Sequence, residues 1–320
     1  MVQQSNLIPV DPGEATLMKE TEAAARRFQG LDGWGTAEVL ETLWSGQSRA
    51  MAACLPALPA LGRAVDAARE RLAGTQGRLI YAGAGSAGAL AALDALELPG
   101  TFGWPSTRLS VLLAGGLDLA RGLDAGAEDD AGTGRARVAE LHPGPADVVL
   151  GVSASGGSAF TVGVVEEARR RGALTVAIAS VEGSPLVAAA EHAVVVHTGA
   201  EVIAGSTRLG AGTAQKVVLN LFSTAVMTGL GLVFDNMMCN VRPDNAKLRQ
   251  RCVTIISRIA GVGEPAAADA LARHGDIPRA VLGLAGLSPA DADHALVRSG
   301  GNLRAALESA SKEKGEPCPR

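Results

Sequence analysis

Five short apolar runs in the middle of the chain limit its fold more than any other feature. They are Arg78-Leu-Ile-Tyr-Ala82, Ser110-Val-Leu-Leu-Ala114, Asp147-Val-Val-Leu-Gly-Val152, Leu174-Thr-Val-Ala-Ile-Ala179 and Ala193-Val-Val-Val-His197. Helical, Ala/Leu-rich stretches alternate with them, as in the one predicted from about Ala159 to Arg171. Short apolar strands alternating with helices imply an α/β fold, a doubly wound parallel sheet flanked by helices. Sheets of this kind bind ligands outside the carboxyl ends of their strands. The loops at 83–88, 153–158 and 199–213 are therefore predicted to converge on one crevice.

The regions on either side read as helical. Ala, Leu, Glu and Arg dominate residues 14–76, with breaks at Gly30 to Gly35 and around Pro56 and Pro59. After residue 251 a weak repeat emerges: Ala270-Leu271, Arg273, Gly275, Arg279-Ala280 and Leu282 recur as Ala295-Leu296, Arg298, Gly300, Arg304-Ala305 and Leu307. The constant offset predicts two related helix pairs packed together. The expected organisation is an N-terminal helical segment (1–76), a ligand-binding α/β domain (77–251) and a small all-helical C-terminal subdomain (252–320), with a charged tail from Ser311 that reads as frayed.

Composition removes several function classes. The net charge of -4 and an aromatic content of 3% leave neither the basic patch nor the stacking rings of a nucleic-acid interface. The run Arg169, Arg170, Arg171 reads as the solvated end of a helix, where cations suit the dipole. The apolar stretch 217–234 is interrupted by Asn220, Ser223, Thr224 and Thr228, so a buried helix is expected there, not a membrane span. The opening MVQQSNLIPVDPGE has neither the basic nor the apolar part of a signal peptide. Cys54, Cys239, Cys252 and Cys318 are scattered, which argues against a zinc site or a disulfide scaffold and fits a reducing cytoplasm. None of the five histidines pairs with another at metal-ligand spacing, and no G-x-S-x-G elbow occurs. No metal is expected.

Gly83-Ala-Gly-Ser-Ala-Gly88 follows a strand and matches the dinucleotide fingerprint. That fingerprint also needs an acid at the end of the next strand, where Ala114-Gly115-Gly116 has none, so no nicotinamide cofactor is expected. A second loop, Ser153-Ala-Ser-Gly-Gly-Ser158, repeats the arrangement. Two hydroxyl-bearing loops at two helix starts suit a phosphate monoester. Gly85, Ser86, Ser155, Gly156 and Ser158 are the candidate contacts, although each serine reads equally well as a plain helix cap. A third loop, EVIAGSTRLGAGTAQKVVLN (201–220), flows into a long apolar helix and adds Glu201, Ser206, Thr207 and Arg208. Carboxylates with raised or ordinary pKa supply acid and base chemistry. Glu97, in Leu93-Asp-Ala-Leu-Glu-Leu-Pro99, and Glu128, in Gly126-Ala-Glu-Asp-Asp130, are candidates, and surface acids are the alternative reading.

In the segments LIYAGAGSAGALAALDALELPGTFG, GAEDD, VVLGVSASGGSAF, GAEVIAGSTRLGAGTAQKVVLNLFSTAVMTGLG and DNAKLRQR, the chain resembles the N-acetylmuramic acid 6-phosphate etherases, within the sugar isomerase (SIS) group. The resemblance implies a homodimeric lyase without a cofactor. It would cleave the D-lactyl ether of N-acetylmuramic acid 6-phosphate to N-acetylglucosamine 6-phosphate and D-lactate, with Glu97 as acid and Glu128 as base. The family's loops read G-T-S-G-R-L, A-S-G-R-T-P-Y and I-T-G-S-T-R-x-K-A-G-T. Here Ala89, Gly157 and Gly210 stand where those patterns carry cations, while Arg208 and Lys216 remain. A divergent SIS protein acting on another amino-sugar derivative, or a non-catalytic sugar-phosphate sensor, stays open as an alternative.

Overall fold

A computed structural model describes residues 20–116, 122, 124 and 126–314. Five strands, β1 (Leu79–Gly83), β2 (Leu109–Leu113), β3 (Val148–Val152), β4 (Leu174–Ala179) and β5 (His192–Val195), form one sheet in the order β2-β1-β3-β4-β5. Every pairing is parallel, with Leu79 opposite both Leu109 and Val148, Val148 opposite Leu174, and Val176 opposite His192. All five predicted runs are strands, within two residues at their ends. The chain winds one way from β1 to β2 and the other way from β3 outward. The switch point, where such sheets open a crevice, therefore lies between β1 and β3.

Helices cover both faces. On the first lie α2 (Leu58–Leu72), α3 (Gly85–Phe102) and α7 (Gly210–Gly229), with α1 (Thr36–Ala52) packed on α7. On the second lie α4 (Ala131–Glu140), α5 (Ala159–Arg170) and the short α6 (Pro185–Ala189). Strand periodicity divides the core accordingly. Leu79, Tyr81, Leu150 and Ile178 join the α2, α3 and α7 side, whereas Ile80, Ala82 and Val149 meet Phe160 and Val164 of α5. The central strands are buried on both faces, which is why they read as continuous apolar runs.

The N-terminal helices form no core of their own: Leu61, Ala64, Ala68 and Leu72 of α2 belong to the first-face core. α-Helix begins later than the composition predicts. Residues 20–33 form three short 3₁₀ turns, and the part of the expected helical region before residue 20 lies outside the described residues. The C-terminal helices α8 (Ala246–Ala260), α9 (Glu264–His274), α10 (Ile277–Leu284), α11 (Pro289–Arg298) and α12 (Leu303–Lys314) share a separate core that also takes in Phe234, Cys239 and Val241. α8 runs through the expected 251/252 boundary. The repeat corresponds to the pairs α9/α10 and α11/α12, with Gly275 and Gly300 each just beyond the first helix of its pair. α12 continues to Lys314 through part of the tail that reads as frayed; residues 315–320 lie outside the described residues. The basic run closes α5, where Arg170 and Arg171 bond Glu167 and hold its carboxyl down at about 2. No helix among the described residues is long and apolar enough to cross a membrane.

Candidate active site

The first and second loops flank the switch point. In the first, Gly83 and Gly88 bring β1 and the start of α3 into direct backbone contact: a Cβ on Gly88 would lie 2.6 Å from the Gly83 carbonyl carbon and 2.4 Å from Leu113 Cδ1. The glycines are thus explained by packing before any ligand is invoked. The residue preceding α3 is Ala84, and no side chain among the described residues caps the helix. Its first-turn N–H groups, with the half-buried Ser86 among them, face the crevice end of the strand. An uncapped helix start offers donors and a positive dipole end to an anion.

The second loop is more self-contained. Gly156 takes φ +64, and a Cβ there would lie 2.0 Å from Ser184 Oγ. Ser155 Oγ accepts the Gly157 N–H at 3.1 Å. Ser158 caps α5, accepting the Thr161 N–H at 3.4 Å and the Thr161 hydroxyl at 2.9 Å. Its capping role is therefore visible, and both bonds use the oxygen as acceptor, so neither commits its own hydroxyl proton.

The third loop reaches the first through helix packing. α7 runs alongside α3, and Gly212 lies against Leu90. Yet the α7 start is occupied from within. The Glu201 carboxylate, 4% exposed, accepts the Gly210 N–H and the Ala211 N–H, both at 2.8 Å. A Cβ at Gly210 would stand 3.0 Å from Glu201 Oε2, so the glycine leaves room for this closure. The acid that reads as a ligand contact is seated as an internal anion on the helix dipole. Ser206 and Thr207 are half-buried and Arg208 is exposed on the same loop. Residues 20–29 lie against this loop: the Gly205 N–H donates to the Thr21 carbonyl at 3.0 Å.

The two candidate carboxylates are placed apart. Glu128 is half-buried on the 3₁₀ turn Gly126–Asp129, which packs against α5, the helix that the second loop opens. Asp130 next to it caps α4, and its bonds from the Thr133 hydroxyl and N–H lower its pKa. Glu97 is exposed and twelve residues beyond the start of α3. At the helical rise that is about 18 Å from the first loop of its own chain.

Glu97 instead lines a cavity of about 330 Å³ between α3 and α7, together with Asp94, Lys216, Asn220 and Ser223. Asp94, 2% exposed, accepts the Tyr81 hydroxyl at 3.1 Å, Asn220 Nδ2 at 2.8 Å and Ser223 Oγ at 3.3 Å. Sequence reasoning gave Asp94 and Asn220 no part. The available signal was an aspartate one helical turn before Glu97 in an otherwise Ala/Leu helix.

Residues 138–225 and 58–180 each match the SIS domain. The N-acetylmuramic acid 6-phosphate etherase of Rubrobacter xylanophilus is 42% identical over 289 residues, 90% of this chain and 95% of that one. The enzyme of the same name from Streptomyces coelicolor is 42% identical over 292 residues, covering 91% and 94%. That from Deinococcus radiodurans is 39% identical over 291 residues, covering 90% and 95%.

Proposed function

Since this chain belongs to the N-acetylmuramic acid 6-phosphate etherase family, we propose that it cleaves the D-lactyl ether of N-acetylmuramic acid 6-phosphate, releasing N-acetylglucosamine 6-phosphate and D-lactate. The observation that carries this reading is the relatedness, which extends over nine-tenths of both chains. The phosphate is assigned to the first and second loops, where the uncapped start of α3 and the hydroxyls of Ser86, Ser155 and Ser158 offer donors.

Ring opening exposes an aldehyde that acidifies the hydrogen on C2. Glu128 takes that proton. The electron pair forms the C2–C3 double bond as the C3–O bond breaks, and Glu97 gives a proton to the departing lactate oxygen. Water then adds across the double bond. The substrate's own carbonyl acts as the electron sink, so the reaction needs neither a metal nor an organic cofactor, and activity is expected to survive exhaustive chelation.

A homodimer is part of the proposal. Glu97 and the first loop are too far apart in one chain to act on one sugar, so a second copy supplies Glu97 to the loops of the first. Exposed apolar side chains on the same helices support this: Leu93 (46%) and Leu96 (68%) beside Glu97 on α3, Leu221 (41%) on α7 and Trp44 (73%) on α1. The free, buried thiols of Cys54, Cys239 and Cys252 fit a cytoplasmic site of action. Incubation with N-acetylmuramic acid 6-phosphate and an enzymatic D-lactate assay tests the central reading. A flat trace beside an active relative would refute it.

A further inference from the structure

The α3–α7 cavity holds a cation that neither the fold nor the proposed proton transfers use. Among the described residues, Lys216 is the one cation lining it. Lys216 is half-buried and, among the described residues, forms no ion pair. The buried acid that lines the same cavity is already satisfied, because Asp94 takes its bonds from the neutral groups of Tyr81, Asn220 and Ser223. Burial first, and then the charge of Asp94, push the Tyr81 hydroxyl well above the ordinary phenol range, which keeps it a donor. A half-buried ammonium beside a cavity, with its neighbouring carboxylate bonded elsewhere, is a site prepared for an anion that arrives from outside.

The chemistry of the leaving group says which anion. In a lactyl ether the carboxylate sits on the carbon that bears the ether oxygen. Any group that protonates that oxygen is therefore within a side-chain length of the carboxylate. Glu97 and Lys216 share one cavity of about 330 Å³, the right neighbourhood for the two ends of a lactyl group. We propose that Lys216 binds the lactyl carboxylate and so selects ethers that carry an acid over neutral ones. This rests on the reading of Glu97 as the acid that protonates the lactate oxygen.

The test compares D-lactate with its neutral amide, D-lactamide. Each is titrated by calorimetry into the full-length protein in the presence of saturating N-acetylglucosamine 6-phosphate. The wild type is expected to prefer the acid by about 10- to 100-fold, the range of a hydrogen bond to a charged group. Lys216→Met is expected to bind the two alike with an unchanged Tm, and Lys216→Arg to keep most of the preference. No preference in the wild type, a preference retained in Lys216→Met, or an equal loss for both ligands would each overturn the proposal. D-lactate release from N-acetylmuramic acid 6-phosphate is followed in parallel, which separates the two claims. Turnover with a preference indifferent to Lys216 leaves the etherase reading standing and removes this one. A Lys216-dependent preference without turnover keeps the carboxylate site at Lys216 but removes the etherase reading, and with it the selection among ethers.

Discussion

The loop crevice at the strand ends and the cavity between α3 and α7 are built from different materials. The crevice is made of backbone: glycines packed to contact distance, N–H groups and short hydroxyls. The α3–α7 cavity is made of side chains fixed by one another, with Asp94 held by Tyr81, Asn220 and Ser223 and flanked by Glu97 and Lys216. The first suits a dianionic phosphate, which many weak, preorganised donors recognise well. The second suits proton transfer and a single carboxylate. Each region holds one of the two proposed carboxylates, Glu128 beside the crevice and Glu97 in the cavity. In the proposed homodimer, one chain would therefore present two half-sites, and assembly would join them.

The largest expected effects test that division. Glu97→Gln and Glu128→Gln should each lower kcat by about 10²–10⁴-fold, the range for removing a general acid or base. Mixed and allowed to exchange subunits, the two inactive variants should regain activity. A heterodimer of this kind has one site with Glu97 from one copy and Glu128 from the other, both intact. If mixing restores nothing while light scattering shows that exchange occurred, both carboxylates act within one chain and the half-site picture fails.

Next in size is Glu201. Its carboxylate is buried on the α7 start with two N–H partners, so Glu201→Ala strips a helix end of its internal anion. A loss of about 3 kcal/mol is expected, read as a Tm lower by several degrees in thermal unfolding. Substrate affinity measured well below that Tm should change less than stability. An unchanged Tm with a lost phosphate affinity would mean that the α7 start, and not α3, receives the ligand.

These positions mark how far the sequence could be read. The strands were legible because burial on both faces leaves an unbroken apolar run, as in Val148 to Val152. The glycine-rich turns were legible as turns. Whether a helix start is open or closed was not, because it depends on a side chain returning across a loop. Glu201 bonds Gly210, nine positions further along the chain, and no local pattern marks that contact. The separation of Glu97 from its own first loop was also hidden. A spacing of twelve residues says nothing about assembly until the helix is drawn at its true length. Nor does a local pattern show that α8 carries the C-terminal core across residues 251 and 252.

The smallest effects discriminate most finely, between two serines with nearly the same local wording. Ser86 lies at a helix start without a side-chain cap among the described residues, and the proposed reading gives its hydroxyl to the phosphate. Ser86→Ala should raise KM by about 10-fold or somewhat more, leaving kcat and Tm nearly unchanged. Ser158 is 2% exposed and caps α5, so Ser158→Ala should cost about 1 kcal/mol of stability through the lost cap. Its remaining proton makes the kinetic outcome informative. A KM that does not move assigns Ser158 to the fold alone. A KM that rises together with the stability loss gives the second loop a share in holding the phosphate. Only a KM increase with no change in Tm contradicts the capping bond to Thr161, and it would place the second loop in the same open class as the start of α3.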